Sequence, residues 1–295
     1  MNGRLHIGSW MGVILMAAMV LSACATTPAS TPTPEPTATA APALLSKPPE
    51  LILAINKPHG RTSSSEHVVY TLPEMDKVLL ASELAYYNDL TLDIYYPPDY
   101  RFEAKLPIAI LSHGFAERGE FDKDMAQHID WAKLIAASGM IAVSAQAGTA
   151  PETNSYHVLE FLAANADLLG IDLTRIGFWA CSGQGTPVFK ALGDKELPYR
   201  DGFRAAVFLY LDVRAATPGT WPQNLSLFVI RAGADTNVSG PAMVRLVSEA
   251  RASGIRTEYY EYALAPHAFD VLVSTQEAKD LIQHALEFLK RNLLQ

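Results

Sequence analysis

The sequence predicts an α/β fold, a mostly parallel central sheet flanked by helices with little or no lid. Three observations lead there. From residue 66 onward, short β-rich runs alternate with longer amphipathic stretches, the rhythm of strands joined by covering helices. The 295 residues are 49% apolar and only 18% charged, a composition that builds a buried core rather than a disordered or coiled-coil chain. Residues 50–295 have the length of one large α/β domain, and no repeat of fixed period or second domain interrupts them. A formal charge of −8 leaves no basic stripe to neutralise phosphates, which argues against nucleic acid as a partner.

In chain order, residues 1–23 read as an export signal. Arg4 gives a positive start, residues 11–21 an apolar run, and Leu21-Ser22-Ala23 a small-residue cleavage site. The run is too short to span a bilayer with normal flanks. Leu21-Ser22-Ala23-Cys24 resembles the lipobox of bacterial lipoproteins. That resemblance implies that Cys24 is acylated and anchors the exported chain to the cell membrane or outer surface. Residues 24–49, mostly Thr, Pro, Ala and Ser, bury too little to fold and read as a tether. If Cys24 carries lipid, only Cys181 remains and no intrachain disulfide forms.

Within the domain at 50–295, strands are predicted at 66–72 and at 90–96, the latter closed by Pro97-Pro98. Further strands are predicted at 107–112, 140–145, 175–181, 205–211, 225–231 and 257–263. Helices are predicted within 122–138 and at 156–169, 183–192, 241–252 and 277–294. Pro241 suits a first helical turn, where its missing N–H has no partner anyway, and Gly254 suits the exit.

Four strand ends carry the chemistry. At Ala180-Cys181-Ser182-Gly183-Gln184-Gly185 an apolar strand breaks into a glycine-rich helix start. A nucleophile needs this geometry: the sharp turn lifts its Oγ out of the sheet, and the helix N-terminus offers N–H groups to a developing oxyanion. The segment resembles the G-x-S-x-G elbow of the α/β-hydrolase family, with Ala180 for the first glycine and Gln184 where a small residue is expected. A rival register makes Cys181 the nucleophile and Gly183 the trailing glycine, as in dienelactone hydrolases. Because it sets the bulky Trp179 at the tightest position, Ser182 is preferred. The structural alternative is a glycine-rich turn with a helix-capping serine.

The resemblance covers residues 66–294 and implies an acid and then a histidine, each after a later strand. Asp235, in a Gly-x-Asp turn, is the acid that fixes the imidazole tautomer, with Asp212 after the preceding strand as its rival. His267, between the last strand and the last helix, is the base, whereas His59, His67, His128, His157 and His284 lack a matching strand end. The run into His113-Gly114-Phe115 looks like the family's first oxyanion loop, so the backbone N–H groups of Phe115 and Gly183 are the assigned donors, with His113 holding the loop. Glu117, Arg118 and Glu120 read as solvated surface and Trp179 as core, while Trp221 and Tyr210 are expected to form a substrate-facing wall. No His/Cys/carboxylate cluster has metal-ligand spacing, and neither a metal nor an organic cofactor is implied.

The activity implied is hydrolysis of a small-molecule carboxylic ester through an acyl-enzyme, outside the cytoplasm, most like dienelactone-hydrolase-type and acetylhydrolase-like esterases. A peptidase or thioesterase on the same fold is an alternative, since one triad serves several acyl groups. A non-catalytic, lipid-tethered binding module is another, kept open by Gln184.

Overall fold

The computed structural model describes residues 41–57, 66–112 and 123–295. The residues read as an export signal, Cys24, most of those read as a tether, and residues 113–122 therefore lie outside the described residues. Among the described residues, no helix is long and apolar enough to cross a membrane. The chain is tied down before its composition changes: Asn165 accepts from the Leu45 N–H at 2.8 Å and donates to the Ala43 carbonyl at 2.8 Å.

The alternation of side chains along the strands builds two cores. On Ile171–Cys181 (β6), Ile176, Phe178 and Ala180 enter one cluster, while Trp179 and Cys181 enter the other. The first face is covered by Pro151–Ala164 (α2), Gly185–Gly193 (α4) and Gly240–Ala252 (α5), through residues such as Phe161, Val188 and Leu246. The second is covered by Ala126–Ala137 (α1) and Gln276–Leu293 (α7), through Trp131, Ile135, Ile282 and Leu289. Each such side chain contributes about 1.5–3 kcal/mol by leaving water. Two short helices, Ala166–Leu169 (α3) and Phe269–Leu272 (α6), complete the set.

The remaining strands are Ile52–Leu53 (β1), Leu79–Tyr87 (β2), Leu90–Tyr96 (β3), Leu106–Leu111 (β4), Ile141–Ala145 (β5), Phe203–Leu209 (β7), Ser226–Ala232 (β8) and Arg256–Tyr262 (β9). They form one sheet in the order β1-β2-β3-β5-β4-β6-β7-β8-β9. The pairings from β1 to β5 are antiparallel and those from β5 through β4 to β9 are parallel. The chain steps from β4 back to β5 and then crosses to β6 on the other side of β4. That reversal opens a crevice at the carboxyl ends of β4 and β6, the place where open parallel sheets bind ligands.

One predicted strand is wrong. Residues 66–72 pair with no strand; instead the Val68 N–H donates to Asp130 and the Val69 N–H to the Asp270 carbonyl. On the side away from β5, β3 pairs with β2, whose alternation is broken by two register shifts and by Glu83 at φ 57. Smaller differences matter for the site. The fourth helix starts at Gly185, which leaves Gly183 and Gln184 in the turn, and β7 ends at Leu209, which leaves Tyr210 outside the strand.

Candidate active site

Ser182 sits where β6 breaks into α4, in the left-handed region at φ 51. For a residue with a Cβ this conformation costs about 1–2 kcal/mol, so surrounding bonds must hold it. The Ser182 N–H donates to the Leu209 carbonyl at 3.3 Å, and its own carbonyl accepts from the Asp212 N–H at 2.6 Å. Both anchors lie on the neighbouring β7 and just beyond it.

The later strand ends deliver the other two groups. His267 Nε2 lies 2.8 Å from Ser182 Oγ, and His267 Nδ1 lies 2.7 Å from Asp235 Oδ2. Because the carboxylate can only accept, Nδ1 carries the proton and Nε2 accepts from the serine hydroxyl. The Asp235 side chain is only 1% exposed, against 22% for His267. Its second oxygen accepts the N–H groups of Asn237 at 2.7 Å and Val238 at 3.4 Å, which fixes the carboxylate plane. The acid turn and the histidine loop are bonded to one another, Gly233 N–H to the Tyr262 carbonyl at 2.8 Å and Ala234 N–H to the Ala265 carbonyl at 2.9 Å. Their spacing is therefore set by backbone.

Gly183 is exposed beside the serine, and its N–H donates to no acceptor among the described residues. It borders a cleft of about 240 Å³ with Thr149, Glu152, Thr186 and Pro187. Behind Pro151 and Pro187 lies a smaller apolar cavity of about 40 Å³ lined by Ile110, Val158, Phe178 and Val188. A groove of about 680 Å³ lies at the opposite end of the sheet among Arg175, Arg204, Arg256 and Arg291, and no histidine lines it.

No protein-family profile matches the chain, and no curated protein matches it in sequence. Solved structures do. One is an esterase from the fungus Rhizomucor miehei, 15% identical, with a TM-score of 0.61 over 76% of this chain and 85% of that one. Another is the butyrate-bound esterase 2 of the planctomycete Thermogutta terrifontis, 17% identical, with a TM-score of 0.55 over 74% of this chain and 95% of that one. A third, DphMB1, is 18% identical, with a TM-score of 0.58 over 81% and 90%. The fold is that of the α/β-hydrolases.

On this α/β-hydrolase scaffold the rivals to Ser182 and Asp235 stand elsewhere. Cys181 is 2% exposed and packs in the core on the α1 and α7 face, its thiol pushed well above the usual range by burial and then by the charge of Asp270. Asp212 is held by Arg214, whose guanidinium lies 2.9 and 3.0 Å from its two oxygens and draws its carboxyl below the usual value. Phe115, His113, Glu117, Arg118 and Glu120 lie outside the described residues.

Trp179 is core, as expected, 5.1 Å from the Trp131 ring. The expected wall is corrected. Trp221 is 2% exposed and stacks on Phe189 at 5.6 Å, and Tyr210 is 1% exposed with its ring edge-on to His267 at 4.9 Å. Position near a strand end does not fix direction: Tyr210 has φ 37, and its hydroxyl donates inward to Asp270 at 2.6 Å.

Asp270 was not singled out by the sequence. It is fully buried three residues after His267, and its carboxylate also accepts from Gln127 Nε2 and Trp131 Nε1, each at 2.8 Å. These donors come from α1 and from beyond β7, far away in the chain, so no local motif announces them. Among the described residues the one carboxylate cluster with ligand-like spacing is Glu83, Asp93 and Asp124. Lys57 and Lys123 fill it, at 2.6 Å from Asp124 and 3.3 Å from Asp93 respectively. Burial works against the Lys123 ammonium, yet the surrounding carboxylates push its pKa up.

Proposed function

We propose that this chain is a serine hydrolase that cleaves carboxylic esters through an acyl-enzyme. The observation that carries the reading is the continuous chain Ser182 Oγ, His267, Asp235, at 2.8 and 2.7 Å, with the serine on a strained strand-to-helix turn. In the first step Ser182 Oγ attacks the ester carbonyl while His267 Nε2 takes its proton and passes it to the leaving alcohol. In the second, water gives a proton to His267 and attacks the acyl carbon, the bond from that carbon to Ser182 Oγ breaks, and His267 returns the proton to Oγ as the acid leaves. Asp235 holds the imidazole tautomer and stabilises the imidazolium in both steps. The Gly183 N–H is one oxyanion donor, with the Phe115 N–H assigned as the other by the resemblance at His113-Gly114-Phe115; each contributes on the order of 3 kcal/mol to the transition state. The chemistry requires no metal or organic cofactor.

Support also comes from those neighbours that are esterases, one of them solved after phosphonylation by sarin and after phosphorylation by paraoxon. Export and anchoring at Cys24 place this chemistry on a tether at the outside of the cell in this proposal. The test is a fluorophosphonate probe together with p-nitrophenyl esters, acyl-thioesters and peptide amides. Labelling is expected at Ser182, with esters turned over fastest, and Ser182→Ala is expected to abolish labelling and lower turnover by roughly 10⁴-fold or more. Faster cleavage of thioesters or amides reassigns the substrate class. Absence of labelling, or labelling that survives Ser182→Ala, overturns the mechanism.

A further inference from the structure

We propose that Gln184 is a positioning residue for this reaction, the joint that holds Ser182 and the Gly183 N–H in register with β4 and α1; the proposal rests on the hydrolase reading. The elbow of the family has a small residue here, yet Gln184 is 5% exposed and turned inward rather than out over the serine. Its bonds account for every polar atom it has. The backbone N–H donates to the Cys181 carbonyl at 3.0 Å, and the backbone carbonyl accepts from the Ser112 hydroxyl at 2.8 Å. Oε1 accepts from the Cys181 N–H at 3.3 Å and faces its thiol at 3.5 Å, while Nε2 lies 3.0 Å from His128 Nε2.

The roles of these atoms follow from one another. The Cys181 N–H can only donate, so Oε1 faces it and the amide NH₂ faces the imidazole. His128 Nε2 is then an acceptor, and the ring proton sits on Nδ1. His128 is fully buried and stands edge-on to Trp179 at 6.0 Å, so this imidazole is fixed in place. One residue therefore ties the nucleophile turn to α1 through its side chain and to the end of β4 through its carbonyl.

Gly183 depends on that tie. A Cβ built on it meets nothing within 4 Å, so packing does not restrain it, and its orientation follows from the residues on either side. Ser182 is anchored by Leu209 and Asp212, and Gln184 anchors the other side. Gly185 completes the turn as the small residue, since a Cβ there would lie 2.6 Å from the Asp212 carbonyl oxygen. The elbow has thus moved its close-approach glycine one position on and used the vacated position for a hydrogen-bonded brace.

The test compares Gln184→Ala and Gln184→Glu with the unsubstituted protein by ester kinetics, fluorophosphonate labelling, melting temperature and the imidazole ¹⁵N spectrum. Losing an oxyanion donor costs about 10²–10³-fold, so displacing one through Gln184→Ala is expected to lower kcat about 10–100-fold, with KM within about threefold and labelling slowed in parallel. Gln184→Glu keeps the acceptor for the Cys181 N–H and takes a bond from His128 once the ring moves its proton to Nε2. It is expected to recover most of the lost rate, with the reversed tautomer visible in the ¹⁵N spectrum. An unchanged kcat in Gln184→Ala overturns the proposal. So does a loss of kcat that follows a large fall in melting temperature and that Gln184→Glu does not recover, because packing alone then explains it. An unsubstituted protein that neither turns over esters nor labels fails at the hydrolase reading itself, and the positioning role falls with it.

Discussion

Cys181 and Ser182 are adjacent in sequence and live in opposite environments. The cysteine side chain is sealed in the core, where burial and the nearby Asp270 hold its thiol protonated, and the half-buried serine turns its hydroxyl to a histidine. A thiolate is the reactive form of cysteine, so Cys181 is expected to resist iodoacetamide at about pH 8 in the native protein, with esterase activity kept. Rapid alkylation with matching loss of activity would restore the cysteine register. The three residues of the hydrogen-bonded chain are legible in the sequence because each follows a strand in a short local motif. The groups behind them are not: Asp270 meets Gln127, Trp131 and Tyr210 only through the tertiary fold. Gln184 is visible in the sequence only as an anomaly, and its meaning depends on a histidine far away in the chain.

At the scale of elements, the site depends on how closely two turns approach. Gly233 marks the tightest point, since a Cβ there would lie 2.2 Å from the Ala263 carbonyl oxygen and 2.6 Å from its Cα. Gly233→Ala is expected to push the acid turn from the histidine loop, destabilising the fold by about 1–3 kcal/mol in a denaturant titration and reducing kcat. Gly183→Ala, with open space above it, is the control expected to leave the denaturation midpoint nearly unchanged. An equal midpoint for all three proteins would mean that the turns separate freely. The same scale explains which elements the sequence reveals. The strands β4, β5, β7 and β8 and the second half of β6 are largely buried on both faces and read as near-continuous apolar runs. The bulged β2 does not alternate cleanly, and residues 66–72 have strand-like composition but spend their N–H groups on Asp130 and Asp270.

For the molecule as a whole, the sheet and its two helical layers supply the stability against which local strain is held. Cys181, the one cysteine among the described residues, is unpaired, so no disulfide there contributes to that stability. Ser182 draws on it through a backbone angle that L-residues avoid. Because glycine adopts this angle without steric penalty, Ser182→Gly is expected to be more stable to denaturant than Ser182→Ala by about 1 kcal/mol, both being inactive. Equal stabilities would mean that the turn relaxes when the hydroxyl leaves. On the proposed hydrolase reading, reactivity at this position comes at the expense of resistance to unfolding, and a search for thermostable variants has a ceiling there: the residue that suits the backbone best is the one that cannot react.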